Sequence, residues 1–150
     1  MKKTILIILC GVMVLGLTGC GKSKNELDIG SKSNIKISQN DVTMTIKEGT
    51  LTNKSATLVL TNNSEKNFEY GTPYEIEVKK DGEWHKINVE LDFTMPAFQL
   101  SAKESNEIEL DWEYGYGKLA EGTYRIIKVI NYEYNGGKYE PFNVAVEFTI

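Results

Sequence analysis

The chain has 150 residues, 41% of them hydrophobic, and carries 17 Lys and Arg against 21 Asp and Glu for a formal charge of −4. Its lysines are scattered along the chain, which excludes the clustered positive footprint of a nucleic-acid binder and a polybasic membrane patch. One histidine and two cysteines are too few for a zinc site and leave a histidine acid–base pair without a matching second group.

Met1-Lys2-Lys3 is a short basic start, and an apolar run follows from Ile5 to Leu17, interrupted only by glycines. The run is shorter than the roughly 20 residues that a bilayer span needs and has the length of a secretory h-region. It ends in Leu17-Thr18-Gly19-Cys20, which resembles a bacterial lipobox. That resemblance implies removal of residues 1–19 as a signal peptide and lipidation of Cys20. The protein would then sit on the extracytoplasmic side of the cell membrane, held by its lipid anchor; two acyl chains give stable attachment where one does not. Cys10 leaves with the signal, so no disulfide is expected, and the remaining core of about 110 residues is large enough to be stable without one.

Residues 20–39 read as the lipidated N-terminus and a flexible tether. Gly21-Lys22-Ser23-Lys24-Asn25 and Gly30-Ser31-Lys32-Ser33-Asn34 hold no large apolar side chain, and such a chain reaches roughly 20–25 Å. Within it, only Ile35-Lys36-Ile37 has the pattern of an edge strand.

Residues 40–150 read as one all-β domain, because the apolar period from Val42 onward is two. Val42, Met44 and Ile46 alternate with polar neighbours, as do Ala56, Leu58 and Leu60, then Tyr74, Ile76 and Val78, then Ile108, Leu110 and Trp112, and finally Phe142, Val144, Val146, Phe148 and Ile150. One apolar and one polar face per strand is the mark of antiparallel sheets with one side in a core. Asp81-Gly82 and Asn135-Gly136-Gly137 have the composition of hairpin turns, and Asn62-Asn63-Ser64 closes the strand before it. Seven to nine short strands are predicted, the spacing of a sandwich. Gly122 to Tyr132 breaks the alternation with Ile126-Ile127 and Val129-Ile130, which predicts a central or bulged strand. Only Tyr116 to Glu121 has room for a helical turn.

Among chemistry-bearing residues, His85 stands beside Trp84 in a predicted strand, no nucleophile turn surrounds a serine, and Glu75, Glu77, Glu107, Glu109 and Asp111 fall on polar strand faces. The expectation is a protein with no catalytic residues, no metal and no cofactor. Aromatic faces beside acids suit sugars or extended peptides. Trp112 completes the core face begun by Ile108 and Leu110. Tyr114 and Tyr116, which follow among glycines, are expected to be exposed and are the candidate ligand-binding residues, with Tyr70 and Tyr74 as aromatic neighbours elsewhere.

Three local patterns coincide: a strand running into Thr61-Asn62-Asn63-Ser64, the Asp81-Gly82 hairpin leading to Trp84, and Leu119-Ala120-Glu121-Gly122-Thr123-Tyr124-Arg125. Together they resemble the immunoglobulin-like domains of exported bacterial proteins, without the cysteine pair of antibody domains. The resemblance implies an immunoglobulin-like antiparallel β-sandwich and assigns Tyr124 to a tyrosine corner, in which the hydroxyl bonds backbone upstream. It implies a non-catalytic binding domain whose partner is a protein, a peptide or an envelope component, not a nucleic acid. The same outline is similar to a bacterial family of sandwich-type proteinase inhibitors, which implies inhibition as the alternative function.

Overall fold

The computed structural model describes residues 27–38, 41–94, 96–132 and 141–150. The signal segment, the lipobox with Cys20, and the Asn135-Gly136-Gly137 turn lie outside the described residues. Ten strands and one helical turn are present among them: β1 (Ile29–Lys32), β2 (Val42–Ile46), β3 (Ser55–Asn62), β4 (Phe68–Tyr70), β5 (Glu75–Lys80), β6 (Glu83–Ile87), β7 (Phe98–Leu100), β8 (Ser105–Asp111), α1 (Glu113–Tyr116), β9 (Thr123–Tyr132) and β10 (Phe142–Thr149). The period of two misses β1, β4 and β7, which are only three or four residues long and too short to show an alternation. The helical turn begins three residues earlier than the sequence places it.

The strands form two antiparallel sheets. The smaller has the order β2-β3-β8, and the larger has β1-β6-β5-β9 with β10 on the far edge of β9. The short β4 continues the β5 side of β9, with β7 outside it. The β5–β6 hairpin closes over Asp81 (φ 51°) and Gly82 (φ 81°), the two positive φ values that a two-residue I′ turn requires. β9 is the central strand: β10 pairs with it from Thr123 to Ile130, and β5 then β4 occupy its other edge. That position explains the burial of Tyr124 to Lys128, whereas Val129 is 45% exposed. Tyr124, Ile126 and Ile130 belong to the core between the sheets, whereas Arg125 and Ile127 are buried on the opposite face.

The core draws Val42, Leu58 and Leu60 from the small sheet and Ile76, Ile126, Val144 and Phe148 from the large one. Each fully buried side chain of this size contributes roughly 1.5–3 kcal/mol. Trp112 is fully buried at the end of β8; its indole N–H donates to Asn53 O (3.1 Å) and its ring lies 5.8 Å from Phe148. Tyr124 is 2% exposed, and its hydroxyl donates to Ala120 O at 3.0 Å, the geometry of a tyrosine corner.

The flexible tether expected over residues 20–39 does not extend past Ile29. β1 pairs with β6 (Ile29 with Ile87, Lys32 with His85), and Ser33 N–H donates to Trp84 O at 2.7 Å. A few residues later Ile37 bridges Asn143 of β10, and Ser38 N–H donates to Asn143 O at 2.7 Å. The chain from Ser33 to Ile37 therefore runs from the β6 side of the large sheet to β10. A Gly/Ser-rich segment can do this because its anchors are backbone groups, which composition does not reveal.

The structure also corrects the solvated position expected for Glu77. Glu77 is fully buried on the outer face, where its Oε2 accepts from Arg125 Nε (2.7 Å) and Nη2 (2.6 Å). The Arg125 guanidinium lies 4.6 Å from the Trp84 ring. Glu75, Glu107, Glu109 and Asp111 are exposed.

Candidate binding groove

The two sheets do not close along one side. Among the described residues β8 pairs only with β3, and its second edge faces a hollow of about 440 Å³. Five consecutive β8 residues, Glu107 to Asp111, form one wall, and Tyr70, Tyr74, Phe93 and Phe98 form the other. Tyr70 stacks on Phe98 at 5.5 Å, and Tyr74 meets Phe93 edge-on at 5.4 Å.

Hydrogen bonds bracket the groove at both ends. Asn106 Nδ2 donates to the Tyr70 hydroxyl (3.1 Å) and to Gln99 O (2.8 Å), tying β8 to β4 and β7. The Tyr74 hydroxyl donates to Asp111 O at 3.3 Å. Burial, with Tyr116 and Asp111 beside it, pushes the Tyr74 pKa up to about 12, so the phenol stays a donor. A second hollow of about 360 Å³ lies behind Tyr74 and Phe93 and reaches Tyr116 and Ile87.

The structure separates the two tyrosines singled out from the sequence. Tyr114 is 97% exposed, on the rim of a shallow hollow that also includes Leu27 and Asp28. Tyr116, expected to be exposed, is 6% exposed, and its hydroxyl accepts the Ile76 N–H at 3.0 Å. The one-turn helix α1 causes this: Tyr116 N–H bonds back to Trp112 O, which turns the ring inward while Tyr114 points out. Burial raises the Tyr116 pKa. Tyr116 is thus a structural anchor and cannot present its ring to a ligand without local unfolding.

Phe93 escapes the sequence reading because it lies in an irregular stretch before Pro96, and Phe98 because it opens β7, a strand of three residues too short to show a period. Lys128 escapes for another reason. It shares a face of β9 with Ile126 and Ile130, is 1% exposed, and its Nζ donates to Gly71 O (2.9 Å), Thr72 O (3.4 Å) and Pro73 O (3.1 Å). It thereby holds the kink between β4 and β5, beside the groove, and burial pushes its pKa down to about 8.

His85 is half-buried, with Nδ1 at 3.3 Å from Gly30 O. Among the described residues no group of three or more His, Cys, Asp and Glu is placed to hold a metal ion. Asn62, of the Asn62-Asn63-Ser64 turn, is buried, and its amide donates to Lys66 O, Leu100 O and Ser101 O. It is a turn-locking residue.

Two antiparallel sheets, a tyrosine corner and a groove along an open side define an immunoglobulin-type sandwich. The family model described as a bacterial Ig-like domain matches residues 38–149, and the chain belongs to that family. No curated protein matches it.

Proposed function

We propose that this chain is a lipid-anchored extracytoplasmic protein whose Ig-like domain works by binding a protein, peptide or envelope partner, without catalysis. The observation that carries the binding part is the aromatic groove between Tyr70, Tyr74, Phe93, Phe98 and the edge of β8. Aromatic side chains give large contact area with a polar tip, which suits sugars and extended peptides. An Ig-like sandwich supplies loops and sheet edges on a rigid frame. The anchoring part is supported by the sequence Leu17-Thr18-Gly19-Cys20 after a basic start and an apolar run of signal length.

Two experiments test the reading. Metabolic labelling with a fatty-acid probe should mark the wild-type protein and not Cys20→Ala, which should accumulate as precursor; equal labelling of both refutes the anchor. Crosslinking in native membranes should attach a partner to wild type and much less to Phe98→Ala. Potent stoichiometric inhibition across a protease panel would replace this reading with the inhibitor one.

A further inference from the structure

We propose that the free edge of β8 is a strand-addition site for an extended segment of a partner protein in which basic and apolar residues alternate. The inference deepens the binding reading above and rests on it. In the β3–β8 ladder, Asn62 N–H donates to Glu104 O and Trp112 N–H donates to Lys54 O. Even-numbered residues therefore bond β3, and the alternation of an antiparallel pair turns the backbone groups of Ser105, Glu107, Glu109 and Asp111 toward the free edge. The Tyr74 hydroxyl occupies Asp111 O, so the open ladder runs along Glu107 and Glu109. These are the backbone groups that border the groove.

An added strand has its side chains dictated by this register. A residue opposite Glu109 or Glu107 lies on the outer face, next to an exposed carboxylate. Glu107 is paired with Lys47 at 2.8 Å, while Glu109 and Asp111 have no cation beside them among the described residues. A Lys or Arg at those positions makes the favourable cross-strand pair. The residue between them, opposite Ile108, points inward toward Tyr70, Phe93 and Phe98, where an apolar or aromatic side chain fits. The recognised core is thus basic–apolar–basic. A second copy of β8 is excluded as occupant, because it would oppose carboxylates with carboxylates.

The test uses the full-length protein in detergent and three synthetic heptapeptides: Lys-Val-Lys-Phe-Lys-Val-Lys, its isomer Lys-Lys-Lys-Lys-Val-Val-Phe, and Glu-Val-Glu-Phe-Glu-Val-Glu. The alternating basic peptide should bind, slow hydrogen exchange at the Glu107 and Glu109 amides, and weaken with added salt. The isomer should bind at least ~10-fold more weakly, since charge alone does not fill the inward position. Glu109→Lys, an exposed change that leaves the circular dichroism spectrum unaltered, should weaken the basic peptide by roughly 5- to 10-fold and favour the acidic one. Equal binding of the two isomers, binding without protection of β8, or no binding overturns the site. A native partner crosslinked through another surface, with β8 unprotected, overturns the strand-addition site and leaves the interaction reading intact.

Discussion

The Tyr116 hydroxyl accepts the Ile76 N–H in a buried position, whereas Tyr114, two residues earlier, is almost wholly exposed. Removing a buried acceptor strands its donor, which costs about 1–3 kcal/mol. Tyr116→Phe is therefore expected to lower the urea midpoint clearly, and Tyr114→Ala to change stability by less than about 0.5 kcal/mol. Equal midpoints for the two variants would contradict this assignment. Tyr124→Phe removes the part-buried bond to Ala120 O, and Ala120 is itself an exposed residue. Its cost falls at the low end, about 1 kcal/mol, and a wild-type denaturation midpoint would argue against a tyrosine corner.

At the scale of elements, β1 and the residues after it are a strap tied by backbone bonds to β6 and β10. On the outer face of the large sheet, Glu77 and Arg125 form an ion pair with both side chains buried, and Glu77 Oε1 has no hydrogen-bond partner among the described residues. A buried pair gains little net stability, yet breaking it leaves one charge uncompensated at about 3–5 kcal/mol. Glu77→Ala should destabilise by that order in chemical denaturation. The double change Glu77→Leu/Arg125→Met should recover most of the loss, because no charge is then left buried. A double variant as unstable as the single one would show that local packing, and not charge, dominates there.

For the whole molecule the buried titratable groups set a pH profile. Lys128 has its pKa pushed from 10.5 to about 8 by burial. Between those values the unfolded chain holds the proton that the folded chain has lost, so stability rises with pH across that window. Tyr74, raised from 10 to about 12 by burial, acts in the opposite sense. There the folded chain keeps a proton that the unfolded chain loses, and stability falls as pH climbs above about 10. Urea midpoints of wild type should rise from pH 8 to about 10 and then decline, and the rise should vanish in Lys128→Met. A rise that persists in that variant would assign it to another group.

The alternation from Val42 to Ile150 determined the fold class, because one-sided burial of a strand writes itself into every second residue. The turn over Asp81 and Gly82 was legible from positive-φ chemistry and the central place of β9 from the Ile126-Ile127 doublet, whereas the Val129-Ile130 doublet does not mark two buried faces, because Val129 is 45% exposed. The aromatic wall of the groove was legible only in part: Tyr70 and Tyr74 stood out, Phe93 and Phe98 did not, and Tyr116 was assigned to the wrong side of the surface. Tertiary structure alone decided those points, along with the strap from β6 to β10 and the burial of Glu77 and Lys128. Each depends on which distant segment lies across a residue, and a strap held by backbone hydrogen bonds, or a lysine satisfied by three carbonyls, leaves no side-chain period for a sequence to display.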